Sequence, residues 1–422
     1  MRKFDSCRGY HTFKIMQQKI IKPELLAPAG NFEKLELAVH YGADAVYLSG
    51  HNFSLRSLSD NFSSHELKSA VEFAHSKGVK AYIACNIYSK NEDQEHIKKF
   101  FIELASINPD AVIIADPGIV FLSKKSIPHI HIHLSTQANT TNYNAVQFWA
   151  DAGIKRINLA RELSIEEIHE ISSRSPIETE AFIHGSMCIS YSGRCLLSNF
   201  LTGRDSNRGL CTHPCRWKYS VVEEQRPGEY HPIVEDEKGT YIFNSKDLCM
   251  IGHIPELINA GITSLKIEGR MKGISYLASV VKTYRSAIDS YMRDPENFFV
   301  KPEWEHELDQ MYHRDYSTGF YFNKPEQIIP DYKNKRIGMI HSFIGKILKY
   351  NPDKTITLDI KNKISVGDTI EILTPKGPPL KTVISDIYDG NSNPVPHAQP
   401  NTHSTLKIGI ECNANDIIRK IF

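Results

Sequence analysis

Five of the eight cysteines in this 422-residue chain lie close together in the sequence. They are Cys188, Cys195, Cys211, Cys215 and Cys249. In a reducing compartment such crowding indicates metal or cluster ligation, or catalysis, and thiolates suit iron–sulfur clusters or zinc. Structural zinc prefers two tight C-x2-4-C pairs, and only Cys211 and Cys215 form one, which counts against it. The alternative is that some are small buried apolar side chains, which we favour for Cys7, Cys85 and Cys412.

The same segment is basic and aromatic, two properties that RNA-binding surfaces combine. Over residues 194–218 the chain has five basic side chains against the single acidic Asp205. The predicted RNA contacts are Arg194, Arg204, Arg208, Arg216, Lys218 and Trp217. The alternative is a solvated loop face whose positive charge balances that of a thiolate cluster.

From residue 24 onwards, short β-rich runs alternate with amphipathic helical runs. The predicted strands span 24–30, 44–50, 79–86, 110–116, 131–137, 154–160, 177–185 and 262–269. Parallel strands need crossover helices, and eight such units are the number that closes a barrel. A doubly wound open sheet is the alternative, but the chain has no dinucleotide-binding fingerprint. We therefore predict an α/β fold, a (β/α)8 TIM-like barrel.

The chain is long enough for this barrel and a second, smaller domain. Residues 186–250, which carry the five clustered cysteines, interrupt the repeat as a long insertion after the seventh strand. Near the C-terminus, short strands separated by turn residues predict a small antiparallel β-barrel. The predicted organisation is a tail at 1–20, the (β/α)8 barrel at 21–292, a bridging segment at 293–336 and the small β-barrel at 337–422.

Barrel enzymes place their chemistry at the C-terminal ends of the strands, where the insertion also begins. The polar residues that fall at these ends are Asn86, Asp116, Gln137, Arg161, Glu162, His184, Lys266, Glu268 and Arg270. They are the candidates for catalysis and substrate binding. Glu268 and His184 are the groups suited to moving protons. A structural ion pair is the alternative for Lys266 and Glu268.

Charge and composition limit the remaining function classes. The formal net charge is +1 at pH 7, which excludes a globally basic nucleic-acid binder but leaves room for a local basic patch. The sequence has no apolar run long enough to cross a membrane. Residues 1–20 lack the apolar core of a signal peptide. We therefore expect a cytoplasmic protein with no membrane partner.

Four segments carry the most specific signal in the sequence. They are EAFIHGSMCISYSGRCLLSNF, APAGNFEKLELAVHYGADAVYLSG, RPGEYHPIVEDEKGTYIFNSKDLC and SLKIEGRMKG. Together they resemble the collagenase-like peptidase family, peptidase family U32, and the similarity extends over nearly the whole chain. The resemblance implies a barrel and a 4Fe-4S cluster as the cofactor.

Within that family the chain is most similar to the subgroup that hydroxylates the wobble uridine of tRNA to 5-hydroxyuridine, with prephenate as hydroxyl donor. The cluster ligands that this resemblance implies are Cys188, Cys195, Cys211 and Cys249. Cys215 is the alternative to Cys249. Prephenate is a dicarboxylate, so Arg161 and Arg270 are the expected clamp for it. The expected partners are tRNA and prephenate, with a paralogous subunit of the same family as a further candidate.

Two other functions stay open at the level of sequence. The family's historical label implies a peptidase, although the chain has neither an H-E-x-x-H helix nor a G-x-S-x-G elbow. Such an activity would need a cysteine nucleophile with His184 or His213 as its base. The third function is that of a non-catalytic RNA-binding partner, against which the polar strand ends count. The sequence favours RNA hydroxylation.

Overall fold

The structure is a computed structural model that describes most of the chain. The described residues are 21–50, 53–54, 61–187, 191, 193–217, 235–236, 239–240, 246–322 and 341–421. The predicted tail at 1–20 lies outside them, as do Cys188 and Lys218. None of the helices in the described part of the chain combines the length and the apolar character that crossing a bilayer requires.

Eight parallel strands form a closed barrel. They are β1 (Glu24–Pro28), β2 (Ala45–Leu48), β3 (Lys80–Cys85), β4 (Ala111–Ile114), β5 (His131–Leu134), β6 (Arg156–Asn158), β7 (Glu178–Ser186) and β11 (Ser264–Ile267). Strands β1 to β7 pair in sequence order, and β11 closes the ring by pairing with both β7 and β1. An open sheet would leave two unpaired edges, so this closure confirms the predicted (β/α)8 fold.

Amphipathic helices cover the outside of this barrel. They are α1 (Phe32–His40), α2 (Ser64–Ser76), α3 (Gln94–Ile107), α4 (Pro117–Ser126), α5 (Tyr143–Asp151), α6 (Ile165–Arg174), α8 (Ile254–Asn259) and α9 (Ile274–Arg293). Single 3-10 turns lie at Asn91–Asp93, Thr136–Ala138, Ser206–Arg208, Pro214–Arg216 and Ile251–His253. Local sequence fixes the helix starts, because Ser63 and Glu66 exchange the two hydrogen bonds of a capping box at α2.

Buried charged residues occupy the barrel interior. Arg156 Nη1 lies 2.5 Å from Glu24 Oε1, and Lys266 Nζ donates to Glu180 Oε1 at 2.8 Å. Buried charges are tolerated when they are paired and hydrogen-bonded. Lys266 is therefore held in a structural ion pair, and its partner is Glu180, whereas the sequence suggests Glu268.

The cysteine-bearing insertion leaves the barrel at the end of β7 and returns through β10 (Asp247–Cys249). Strand β10 runs antiparallel to the end of β7, with Cys249 opposite His184. Gly185 allows this junction, because its φ is +106° and a Cβ there would collide with the Glu268 carbonyl oxygen. The other described elements of the insertion are α7 (Leu197–Thr202) and the hairpin of β8 (Glu235–Asp236) and β9 (Gly239–Thr240).

The segment after the barrel packs against the end of the insertion. It contains α10 (Pro302–Asp309) and β12 (Tyr316–Ser317). Strand β12 pairs in parallel with β10, and Arg314 Nη2 lies 2.5 Å from Asp247 Oδ1. This segment therefore fixes β10 from the side opposite to β7.

An antiparallel sheet forms the C-terminal domain. Its strands, in spatial order, are β17 (Leu380–Val383), β16 (Thr369–Leu373), β21 (Ile417–Ile421), β13 (His341–Tyr350), β14 (Thr355–Ile360), β20 (Thr402–Lys407) and β18 (Asp386–Tyr388). A separate pair consists of β15 (Ile364–Ser365) and β19 (His397–Ala398). The predicted antiparallel domain is confirmed, but its outer strands are not paired with each other among the described residues. Within the described residues 341–421, the sheet therefore does not close by strand pairing.

Candidate active site at the barrel mouth

A cavity of about 170 Å³ lies at the C-terminal ends of the barrel strands. Strand ends line one side of it with Asn86, Gln137, Asn158, Arg161, Phe182, Lys266, Glu268 and Arg270. The insertion lines the other side with Gly193, Cys195, Cys211, His213 and Cys215. The barrel mouth and the insertion therefore form one cavity.

The insertion is fastened to the loop that follows β3. Arg208 forms an ion pair with Asp93, with Nη1 to Oδ2 at 2.8 Å, and its Nη1 also donates to Tyr88 O at 3.2 Å. The Tyr88 backbone N–H donates to Asn207 O at 3.3 Å. The Arg208 guanidinium holds the pKa of the Asp93 carboxyl below its usual range. Arg208, a predicted RNA contact, is therefore already engaged in anchoring the insertion.

Three of the clustered cysteines share one wall of the cavity. Cys195, Cys211 and Cys215 all line it and are half-buried. Cys211 Sγ accepts a hydrogen bond from the His213 backbone N–H at 3.4 Å. No three His, Cys, Asp or Glu side chains in the described ranges form a ready-made metal site, and Cys188 lies outside those ranges.

Cys249 lies behind this wall. Its thiol accepts from the Tyr284 hydroxyl at 3.9 Å, and burial raises its pKa to about 11. It is not among the residues that line the cavity. Its strand nevertheless pairs with the last residues of β7, directly before Cys188 in the chain. The backbone therefore brings Cys249 near the start of the insertion, while Cys215 faces the cavity beside Cys195.

Two arginines bring positive charge to the cavity. Arg270 is 3% exposed, and its guanidinium donates to Ser54 Oγ at 2.8 Å and to Ser49 and Asn61. Arg161 Nη1 donates to Ser186 O at 3.1 Å, and its guanidinium lies 3.9 Å from the centre of the Phe182 ring. Among the described residues, no carboxylate forms an ion pair with Arg161. These groups can hold an anion.

His184 lies outside the cavity, although it was a candidate for proton transfer. It is 1% exposed and its Nδ1 lies 3.3 Å from the Tyr284 hydroxyl. Burial lowers the pKa of His184 to about 3, so the ring is neutral near pH 7. Glu268, the other candidate, lines the cavity.

Two further strand-end carboxylates do not line the cavity. Asp116 caps α4 by accepting from the Gly118 N–H at 2.6 Å, and it accepts from the Ser89 N–H at 2.8 Å. Glu162 is half-buried, and burial raises the pKa of its carboxyl. Neither side chain contributes to the wall of the cavity. The structure thus separates these carboxylates from Glu268.

The predicted RNA-contact residues are only partly described. Arg194 is exposed at the rim, and Trp217 is 43% exposed. Arg204 is half-buried, and the placement of the Arg216 side chain lies outside what the structure describes. Tyr191 and Phe200, 53% and 87% exposed, add aromatic surface to the same insertion.

Asn158 and Phe182 are cavity residues that the sequence reading missed. Both lie on predicted strands, at inward-facing positions near the C-terminal end. Side chains alternate along a strand, so the inward set of β6 is Arg156 and Asn158. This alternation is the sequence signal that identifies Asn158 and Phe182, because it marks inward-facing positions that lie before the strand ends.

The fold and the cavity together define a (β/α)8-barrel protein whose mouth is roofed by a cysteine-rich insertion. The family model described as "Peptidase family U32" matches residues 30–330. The model described as "Peptidase family U32 C-terminal domain" matches residues 340–419. The chain therefore belongs to peptidase family U32, which confirms the resemblance drawn from its motifs.

Known relatives in this family carry two kinds of name. The chain is 43% identical over 376 residues to tRNA hydroxylation protein P1 of Bacillus subtilis, covering 88% of each chain. It is 32% identical over 362 residues to the 23S rRNA 5-hydroxycytidine C2501 synthase of Escherichia coli, covering 83% of this chain and 52% of that one. It is 34% identical over 370 residues to an uncharacterized protease of Methanocaldococcus jannaschii, covering 84% and 87%.

Proposed function

We propose that this protein is an RNA hydroxylase that converts the wobble uridine of tRNA to 5-hydroxyuridine. The observation that carries the proposal is that the cysteines of the insertion and the polar strand ends line one cavity. Relatives that match over most of this chain are named for hydroxylation of tRNA and of rRNA. An anticodon base lies in a single-stranded loop, so it can enter such a cavity without the opening of a duplex.

A 4Fe-4S cluster held by the insertion is the cofactor in this proposal. The proposed ligands are Cys188, Cys195, Cys211 and Cys249, with Cys215 as the alternative to Cys249. Two observations support the fit: Cys195 and Cys211 face the same cavity, and the N–H···S bond from His213 resembles those that tune cluster sulfurs. When bound, such a cluster would supply redox chemistry at the barrel mouth.

Prephenate is the co-substrate in this proposal. Its two carboxylates match the positive charges of Arg161 and Arg270, both of which line the cavity. Glu268 would accept or return a proton at the same place. Lys266, neutralised by Glu180, would contribute to the floor of the site.

The exposed rim of the insertion is the proposed contact surface for tRNA. Arg194 would meet phosphates, and Trp217 and Tyr191 would stack on bases, because both rings are exposed beside the cavity. Arg204, Arg216 and Lys218 complete the proposed basic surface. A paralogous subunit and a cytoplasmic location stay predictions.

Mass spectrometry of tRNA nucleosides tests this proposal. Cells that lack the gene should lose 5-hydroxyuridine and its derivatives, and expression of the wild-type chain should restore them. A strain that lacks every paralogue of the family should be the host, so that a second enzyme does not mask the loss. Unchanged 5-hydroxyuridine in that host would contradict the proposal.

A peptidase is the second candidate, because the family and one relative carry that name. A cysteine peptidase needs a thiol activated by a nearby base. Cys249 lies opposite His184, but burial raises the pKa of the thiol and lowers that of the imidazole. Those shifts disfavour the ion pair, so this pair is poorly suited to act as a nucleophile. Cleavage of casein that Cys188→Ala abolishes, in a protein free of iron, would instead favour the peptidase.

A further inference from the structure

The side-chain amide of Gln137 is oriented by two neighbours and keeps a donor unused. Its Oε1 accepts from Asn86 Nδ2 at 2.7 Å and from Ser135 Oγ at 3.0 Å. These donors fix the amide so that Nε2 points away from them, and Nε2 has no partner among the described residues. Gln137 is 2% exposed and lines the mouth cavity. A buried N–H group without a partner is costly, so a ligand that accepts from it gains binding energy.

Asn158, another residue that lines the cavity, has an unused acceptor where Gln137 has an unused donor in the described part of the chain. It is 3% exposed, and within the described ranges its Oδ1 has no hydrogen-bond partner. Arg156, two residues earlier on β6, points into the barrel interior, where it pairs with Glu24. Alternation along the strand puts Asn158 on the same inward side, one level nearer the mouth. Among the described residues, two side chains that line the cavity thus carry an unused acceptor and an unused donor.

These two amides lie on neighbouring strand ends. Strands β5 and β6 are adjacent, with Leu134 opposite Ile157. Asn158 follows Ile157 directly, and Gln137 lies three residues after Leu134. The Thr136 hydroxyl ties the two ends together by donating to Leu159 O at 3.1 Å. Gln137 and Asn158 therefore lie on adjacent strand ends, and both residues line the cavity.

We propose that Gln137 and Asn158 select the target base by reading its imide edge, with Gln137 Nε2 donating to a ring carbonyl and Asn158 Oδ1 accepting from the adjacent ring N–H. The inference rests on the proposed function and names its specificity-determining residues. Uracil presents a carbonyl oxygen beside its N3–H. Cytosine presents an amino group beside an unprotonated N3, so both contacts would become donor against donor and acceptor against acceptor. A site built to hydrogen-bond one pattern rejects the other strongly.

The combination of a donor on Gln137 and an acceptor on Asn158 favours a neutral ring over a carboxylate as their ligand. A carboxylate accepts hydrogen bonds but does not donate them, so it would satisfy Gln137 and face Asn158 Oδ1 with negative charge. The guanidinium groups of Arg161 and Arg270 line the same cavity and suit anionic groups better. The amides and the arginines thus divide the cavity between a base and an acid.

Binding of anticodon stem–loop RNA to the intact protein tests this inference. Three RNAs would carry uridine, cytidine or an abasic site at the first anticodon position, and dissociation constants would be measured by fluorescence anisotropy. We expect the wild type to prefer uridine over cytidine by about tenfold to a hundredfold, the range for one or two buried hydrogen bonds. Gln137→Glu, which replaces the donor by an acceptor of the same shape, should abolish or reverse that preference.

Variants of Asn158 separate recognition from folding. Asn158→Leu removes the acceptor and should reduce the uridine preference, whereas Asn158→Asp keeps an acceptor and should retain it. Asn144→Asp, on the exposed first turn of α5, is the matched control for added charge. If Gln137→Glu fails to fold, Gln137→Met should remove the preference without creating one for cytidine.

Three results would overturn the inference. The first is equal binding of all three RNAs by the wild type. The second is an unchanged uridine preference in both Gln137→Glu and Asn158→Leu. The third is an equal loss of affinity for all three RNAs in those variants. The last would indicate a purely structural role. Nucleoside analysis of the gene-deleted cells reports on hydroxylation separately, so failure of base reading is distinguishable from failure of the proposed function.

Discussion

Arg161 brings a positive charge into the mouth cavity at a position where its neighbours only partly satisfy it. Its Nη1 donates to a backbone carbonyl, its plane lies over the Phe182 ring, and its Nε has no partner in the described part of the chain. Stacking on an aromatic face holds the guanidinium in one orientation. It is therefore positioned to receive a carboxylate without rearranging.

Replacement of Arg161 tests its proposed role in binding prephenate. Arg161→Met should raise the KM for prephenate by about tenfold to a hundredfold, the range for a lost hydrogen bond to a charged group. Arg174→Met, which breaks an exposed i,i+4 pair with Glu170 on α6, is the matched control. Steady-state hydroxylation of tRNA at varied prephenate concentration would measure both. An unchanged KM in Arg161→Met would contradict the assignment.

At the residue scale, the strand pattern predicted many of the residues that line the cavity. Arg161, Gln137 and Glu268 were predicted because each follows a recognisable strand, and all three line the cavity. His184 was expected beside them but lies behind the wall, because the end of β7 pairs with both β11 and β10. Those contacts join distant parts of the chain, so no local sequence pattern predicts them.

Gly185 determines how β7 leads into the insertion. Its positive φ is available to glycine at low cost, and a side chain there would meet the Glu268 backbone. The same residue therefore sets the turn at the end of β7 and the close approach of this turn to the Glu268 backbone.

Substitution of Gly185 should therefore destabilise the junction between β7 and the insertion. We expect Gly185→Ala to lower the free energy of unfolding by at least about 2 kcal/mol, from the strained φ and the contact with Glu268 O. Gly252→Ala is the matched control, because a Cβ at Gly252 meets no atom within 4 Å. Urea denaturation would measure both variants. Equal stability of Gly185→Ala and the wild type would show that the junction relaxes without cost.

At the scale of elements, periodicity predicted the eight barrel strands because each repeats the same local pattern. The fastening of the insertion was not predictable in this way. Arg208 was read as an RNA contact from its charge, but it pairs with Asp93 on the far side of the barrel mouth. Residues 93 and 208 come together only after the barrel has closed, so their pairing depends on the tertiary fold.

The C-terminal sheet is bound to the outside of the barrel through α1, α9 and α10. The Tyr41 hydroxyl donates to Leu373 O at 2.6 Å and accepts from the Ile417 N–H at 3.1 Å. Arg419 pairs with Glu307 of α10 at 2.7 Å. Sequence predicted a separate antiparallel domain, but these contacts are non-local, so its docking face was not predictable.

Lys282 of α9 is buried at this domain contact, and among the described residues its Nζ has no hydrogen-bond partner. Burial lowers the pKa of Lys282 to about 8, an effect that nearby Glu307 partly opposes. The unfolded chain binds this proton up to about pH 10.4. Between those two pKa values the unfolded state holds more protons, so the folded state gains stability as the pH rises.

Removal of this charge should therefore stabilise the protein most near neutral pH. We expect Lys282→Met to raise the free energy of unfolding by about 3 kcal/mol at pH 7, from the difference between the two pKa values. The gain should shrink to below about 1 kcal/mol at pH 10. Urea denaturation at both pH values would measure it. A gain that does not depend on pH would contradict the burial of a charged lysine.

The barrel and the insertion together present one cavity with cysteines on its roof and arginines on its wall. The most direct test of this account measures iron, sulfide and tRNA hydroxylation on the same anaerobically purified protein. We predict about four iron and four sulfide per wild-type chain, and loss of both iron and 5-hydroxyuridine formation in Cys211→Ser but not in the control Cys85→Ala. A wild-type protein that hydroxylates tRNA without iron or sulfide would contradict the account.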